Sequence, residues 1–189
     1  MPEPTGADHG TVASPASTTT TLPDPAALLA TALDQYAGGY EFDATVTVNG
    51  EEASAVAGRW VDGASELTVT SGDGKVDYLI AGGGQWARLP DGEWEALEGA
   101  PTATSPLLAL AEPSSFDRTE PAGDAIVVYA IYPAAALGLQ GEPIEVRLIF
   151  TEGILVEAGY ETLIEENTAV TVTAFRPVGD TTPISAPTT

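Results

Sequence analysis

The chain has 189 residues, no cysteine, and 28 acidic against six basic side chains, for a formal net charge of −22. That length suits one domain with a real core, while the charge excludes the clustered Lys/Arg that nucleic acid needs and disfavours purely electrostatic adhesion to an anionic membrane. Without cysteine there are no disulfides, Fe–S clusters, Cys-ligated zinc or thiol catalysis, and no stretch approaches the ~20 consecutive apolar residues that span a bilayer.

Residues 1–23 (MPEPTGADHGTVASPASTTTTLP) are Pro, Ser, Thr, Gly, Ala and acids with few apolar side chains. They cannot bury enough surface to order themselves and are expected to form a disordered tether, reaching on the order of 25–30 Å as a flexible coil. Spacers of this composition follow the lipidated cysteine of bacterial lipoproteins. Met1 is therefore expected to replace a removed signal peptide and its cysteine, with the protein extracytoplasmic and anchored through that lipid. A native start with an idle leader is the other reading. Residues 24–187 are expected to be a single monomeric domain, with 188–189 as a tail.

Pro23 to Gly39 predicts a helix: Asp24 is a good N-cap, Pro25 sits at N1 and Gly38-Gly39 supplies the stop. Leu28, Leu29, Ala32, Leu33 and Tyr36 form its apolar stripe. In YEFDATVTV, Tyr40, Phe42, Ala44, Val46 and Val48 alternate against polar residues, a half-buried strand ending at the Asn49-Gly50 hairpin turn. Residues 53–61 return as a weaker strand. From Gly58 to Leu97 short apolar-alternating runs are closed by Asp62-Gly63, Gly72-Asp73-Gly74, Gly82-Gly83-Gly84 and Asp91-Gly92, an antiparallel meander carrying Trp60, Trp86 and Trp94.

Ser105 as N-cap, Pro106 at N1 and Pro113 as stop predict a short helix over 105–112, rich in leucine. Residues 124–132 (DAIVVYAIY) are apolar on both faces, a central or helix-covered strand. Pro133 to Leu139 reads as an apolar helical turn. Three alternating strands follow. The first has Ile144, Val146, Leu148 and Phe150 inward, the second Ile154, Val156, Ala158 and Tyr160. After the Glu165-Glu166-Asn167 turn, the third has Val170, Val172 and Ala174. The proline-rich end, Pro177 to Thr189, is expected to fray. The fold class is α+β: a strongly curved antiparallel sheet, a half-barrel of about nine to eleven strands, wrapped around two or three helices, because the helices carry the only other apolar surfaces available to cover one sheet face.

Enzyme chemistry finds no support. The single histidine, His9, lies in the leader, so no histidine base or His-rich metal site is available. The acidic pairs Glu51-Glu52 and Glu165-Glu166 fall on expected turns, where solvated charge is the default. Asp73-Gly74-Lys75-Val76-Asp77 lacks the carboxylate spacing and terminal Glu of a calcium loop and reads as a turn. Neither a metal nor a cofactor is called for. The six cations (Arg59, Lys75, Arg88, Arg118, Arg147 and Arg176) are scattered one per element, which argues against a basic patch.

Several stretches resemble the lipoprotein-carrier superfamily: LolA and LolB, and the LppX, LprG and LprF lipoproteins of actinobacteria. They are the helix before the first long strand, Gly58-Arg59-Trp60 leading into Leu67 and Val69, and Tyr78-Leu79-Ile80 with Gly82-Gly83 before Trp86-Ala87-Arg88. Gly92-Glu93-Trp94 before Pro106-Leu107-Leu108, and the closing VTVTAFRPVGDTTPISAP, complete the match. The resemblance implies a half-barrel of about eleven strands on helices, with a cavity for the acyl chains of lipids or lipoproteins. The arginine that LolA-type carriers place inside the cavity would have to be Arg59 or Arg88.

The leading expectation is therefore an acyl-chain binder or carrier, whose partners are a lipid or acylated ligand, the membrane through the anchor, and a protein of the envelope. Each methylene buried is worth about 0.8 kcal/mol, so a C16 chain gains on the order of 12 kcal/mol gross without any polar motif. The expected lining is Leu28, Leu29, Leu33, Phe42, Val46, Trp60, Leu67, Val69, Trp86, Leu107, Leu108, Val127, Tyr129, Val146, Leu148, Val156 and Tyr160, with 105–112 as a movable lid. For each tryptophan singly, filling the core is the alternative role. The alternative function is a ligand-free regulatory or sensory module of the same fold that meets a partner protein through an acidic face.

Overall fold

The computed structural model describes residues 22–99, 105–164 and 166–187. Most of the expected tether (residues 1–21, with His9), the segment 100–104, the turn residue Glu165 and the tail 188–189 lie outside them. Among the described residues one α-helix, α1 (Pro25–Gln35), precedes eleven strands. These are β1 (Tyr40–Val48), β2 (Glu51–Val61), β3 (Ala64–Ser71), β4 (Gly74–Ala81), β5 (Gly84–Arg88), β6 (Glu95–Ala96), β7 (Ser115–Ala122), β8 (Ala125–Tyr132), β9 (Ile144–Thr151), β10 (Ile154–Ile164) and β11 (Asn167–Pro177).

Asp24 caps α1 as its chemistry requires, Oδ2 accepting the Ala27 N–H at 3.3 Å, and Pro25 opens the helix. The helix stops at Gln35, short of the glycine pair, because Tyr36 turns inward and donates its hydroxyl to the Leu155 carbonyl at 2.8 Å. The expectation of two or three helices is corrected. The segment at 105–112 contains only a 3-10 turn, Leu108–Leu110, and the one after Pro133 is another, Ala134–Leu137. Each lies between helix-breaking residues, with too few positions to continue the α-helical ladder.

All strands belong to one antiparallel sheet in the order β6-β5-β4-β3-β2-β1-β11-β10-β9-β8-β7. Every chain neighbour is joined by a hairpin except β6 and β7, which are the two edges. Asn49-Gly50 and Asp62-Gly63 place both central residues at positive φ (51° and 84°; 49° and 81°), the conformation whose twist matches a two-residue hairpin. The link from β6 to β7 therefore runs from one sheet edge to the other, and Ser105–Leu110 crosses one face on the way. We call this crossing the strap and the face it crosses concave.

The main core lies on that face. Leu29 and Ala32 of α1, and Leu107 and Leu110 of the strap, pack with Phe42, Val128, Val146, Leu148, Leu155 and Phe175 from five strands. A smaller core, Ala64, Leu79 and Ala81 with Trp86, Trp94 and Ile184, sits on the convex face. The expectation that the chain frays after Pro177 is also corrected, because Val178–Pro187 crosses the convex face and brings Ile184 into that second core. β7 went unrecognised in the sequence. Pro121 and three charges (Asp117, Arg118 and Glu120) mask its pattern, and both proline and charge are at home on an edge strand.

Candidate functional site

Strand alternation decides which side chains can face a ligand. Cross-strand pairing puts Phe42 opposite Gly58 and Phe175, Gly58 opposite Leu67, Tyr160 opposite Val146 and Val146 opposite Ala130. Directly paired residues share a face. The concave face therefore carries Tyr40, Phe42, Ala44, Val56, Trp60, Leu67, Ile126, Val128, Ala130, Tyr132, Val146, Leu148, Ala158, Tyr160 and Phe175.

Of the expected lining, Leu28, Leu29, Leu33, Phe42, Trp60, Leu67, Leu107, Val146, Leu148 and Tyr160 converge there, buried in the core or packed on it. The others require correction. Val46 and Val69 have the right parity but stand outside the core, partly exposed toward the hairpin ends of their strands. Leu108 points outward, 62% exposed. Trp86 pairs with Leu79 on the convex face. Val127 and Tyr129 are convex too: β8 is apolar on both faces, so periodicity could not assign its inward side, which is Ile126, Val128, Ala130 and Tyr132. Val156 occupies a bulge between Leu155 and Glu157, and the extra residue hands its inward place to fully buried Leu155.

Tyrosines that the sequence did not single out as site residues hold the strap down. Tyr40 lies at the centre of the aromatic floor, stacked on Trp60 at 5.7 Å and within 6 Å of Tyr36, Phe42 and Phe175. Its hydroxyl makes a short hydrogen bond with Ser105 Oγ and accepts the Leu107 N–H at 3.4 Å. Ser105 caps the strap as expected, accepting the Leu108 N–H at 3.2 Å. Across the trough, Tyr132 donates to the Leu110 carbonyl at 2.9 Å. Burial pushes the Tyr40 hydroxyl pKa up, with Ser105 and Leu107 pulling the other way. Burial also raises Tyr132, so both remain protonated and bonded across the physiological range.

The strap divides the trough into two apolar pockets on either side of Pro106. One, of about 200 Å³, is lined by Phe42, Ala44, Val56, Ser65, Leu67, Ser105 and Pro106. The other, of about 220 Å³, lies among Pro106, Leu110, Leu137, Ala158, Tyr160 and Phe175.

All six cations stand on the convex face, paired with carboxylates. Arg88 Nη2 meets Asp77 Oδ2 at 2.9 Å, and Arg147 Nη2 meets Glu157 Oε1 at 2.5 Å. Arg118 lies over the Tyr129 ring, 3.4 Å from its centroid, and binds Asp117, Glu120 and Glu145. Antiparallel pairing also gathers what the sequence seemed to scatter: Arg59, Lys75, Arg88 and Arg176 border one groove of about 490 Å³ with Glu41, Glu66 and Asp77. The Thr68 hydroxyl and then Arg88 hold the Asp77 carboxyl below its ordinary pKa. Neither Arg59 nor Arg88 reaches the trough, so neither is a cavity arginine. Among the described residues no group of three or more His, Asp or Glu stands close enough to hold a metal ion, and no helix is long and apolar enough to cross a membrane.

No family model matches the chain, and no curated protein matches it. Among solved structures it is similar to a LolA superfamily protein, NE2245 from Nitrosomonas europaea, the superfamily that the sequence resembles. The match has 10% identity and a TM-score of 0.34, and covers 80% of this chain and 92% of that chain. So slight a likeness carries no argument about what this chain does.

Proposed function

We propose that the domain binds an acyl-chain ligand, a lipid or an acylated molecule, in the concave trough, with the strap as its movable cover. The observation that carries this reading is the pair of apolar pockets flanking Pro106. Each is smaller than the roughly 300–1,000 Å³ of ordinary ligand sites. They are separated by a strap whose hydroxyl contacts to the sheet come from Tyr40 and Tyr132. Lifting Pro106 would join them into one trough of ligand-binding size. Apolar walls with no charged side chain suit a hydrocarbon chain, whose binding needs area rather than polar recognition. In this reading the leader is an extracytoplasmic tether whose lipid anchor lies upstream, and the domain works at a membrane surface.

Native mass spectrometry of the purified protein, followed by organic extraction, tests the reading. A co-purified lipid, displaced by added fatty acid, is the expected result. Recovery of no lipid, together with no saturable binding of a fluorescent fatty acid, overturns it and leaves the ligand-free module. The acids crowding the hairpin turns, such as Glu51, Glu52, Asp62 and Asp73, are the observation that favours that second reading.

A further inference from the structure

The convex face holds a second site, and the chain fills it itself. After β11 the backbone crosses β1, β2 and the β3–β5 meander as an extended segment. Glu41 Oε1 accepts the Gly179 N–H at 3.2 Å. Arg59 Nη1 donates to the Asp180 and Thr182 carbonyls at 2.8 and 3.3 Å. Ile184 then packs against the small buried patch of Ala64, Leu79 and Ala81, on which Trp86 and Trp94 also lie. Among the described residues no backbone–backbone hydrogen bond ties 178–187 to the sheet.

That is how protein surfaces read extended peptides. Side chains of the receptor grip the ligand's backbone groups, and one apolar pocket reads one side chain. The Asp180 carboxylate stands 3.4 Å from Arg59, Val178 lies beside Gly39 where the segment leaves β11, and from Gly179 onward Ile184 is the side chain that enters the small core. Pro183 and Pro187 flank it and fix an extended backbone at low entropic cost. Arg59 is itself held ready, its Nε bonded to Glu66 Oε1 at 2.5 Å and its side chain 17% exposed.

We propose that the channel from Glu41 and Arg59 to the Ala64–Leu79–Ala81 patch is a receptor for an extended, proline-flanked segment with one aliphatic anchor, supplied by a partner protein and normally blocked in cis by Gly179–Pro187. A partner segment replaces the chain's own by matching its backbone contacts and its anchor. The net charge of −22 opposes a second copy of this chain as the donor, since two such copies repel. The site lies on the opposite face from the trough, and its test is independent of lipid binding.

The test titrates a fluorescent peptide with the sequence of residues 178–187 into full-length protein at about 0.15 M salt, where long-range repulsion is screened. Ile184→Glu in the full chain releases the anchor and is expected to bind the peptide saturably. The unsubstituted chain binds it at least about tenfold more weakly, because the tethered segment competes at roughly millimolar effective concentration. A peptide carrying Ile184→Glu binds neither. If Ile184→Glu fails to fold, Ile184→Ala in the full chain is used and binds more tightly than the unsubstituted chain. A folded variant that shows no saturable binding overturns the proposal. Equal binding by variant and unsubstituted chains overturns it as well, because the peptide would then sit elsewhere.

Discussion

Gly58 shows how closely the trough is fitted at the level of one atom. It sits in β2 between Phe42 and Leu67, and a Cβ built there stands 2.8 Å from the Glu66 carbonyl oxygen, Leu67 Cβ and Phe42 Cζ. Two of those neighbours cannot swing away, so Gly58→Ala must move backbone, and overpacking of that kind costs about 1–3 kcal/mol. Gly159 is the internal control: it too is mid-strand, and more deeply buried than half-buried Gly58, yet its nearest neighbours to a Cβ are Thr171 O at 3.5 Å and Val172 Cγ2 at 3.7 Å, ordinary contacts. Gly159→Ala is expected to hold or raise stability by restricting the unfolded chain. Urea unfolding separates the two, with the midpoint falling for Gly58→Ala only. Equal falls would show that the Phe42–Gly58–Leu67 contact has no special role. The sequence offers Gly58 as one glycine among twenty, and only the register that stacks it between two large side chains reveals its role.

At the scale of elements, what the sequence made legible follows from how each one is buried. β1 and β9 face core on one side and water on the other, so Tyr40/Phe42 and Val146/Leu148 announce their inward face. β8 carries apolar side chains on both faces, and its inward set was unreadable. In β10 a single bulge exchanged Leu155 for Val156, an event without a periodic signal. The strap was visible as a leucine-rich, proline-bounded segment, but its path from edge to edge depends on the pairing of β1 with β11, which joins residues far apart in the chain. Its fastening makes a prediction at this scale. Tyr132→Phe removes the donor to the Leu110 carbonyl and leaves a buried acceptor unpaired, at a cost of about 1–3 kcal/mol. That loss falls on the strap, so the amides of Leu110 and Ala111, bonded within the 3-10 turn to Leu107 and Leu108, should exchange with solvent faster while those of β9 keep their protection. Equal acceleration in both would mean that strap and sheet open as one unit.

Over the whole molecule, charge is sorted as sharply as apolar surface. The cations lie on the convex face against carboxylates, whereas Glu51, Glu52, Asp62, Asp73, Asp91, Asp124 and Glu152 are exposed at the hairpin turns. Salt acts on these two populations in opposite directions. It weakens the ion pairs, which are largely exposed and worth about 0–1 kcal/mol each, and it relieves the mutual repulsion of the surplus acids, which the net charge of −22 makes the larger effect. The surplus sits near the strand ends, where hairpins hold carboxylates closer together than an unfolded chain would. Raising NaCl from about 10 mM to about 500 mM shortens the screening length from roughly 30 Å to a few ångströms, which silences repulsion between turns but leaves contact pairs such as Arg88–Asp77 partly intact. A net relief of about 1–2 kcal/mol corresponds to a rise in Tm of roughly 2–8 °C for a chain of this size. Thermal unfolding followed by circular dichroism at the two salt concentrations measures it. A Tm that falls with salt would mean that the convex ion pairs, rather than the acidic surplus, dominate the electrostatics of the fold.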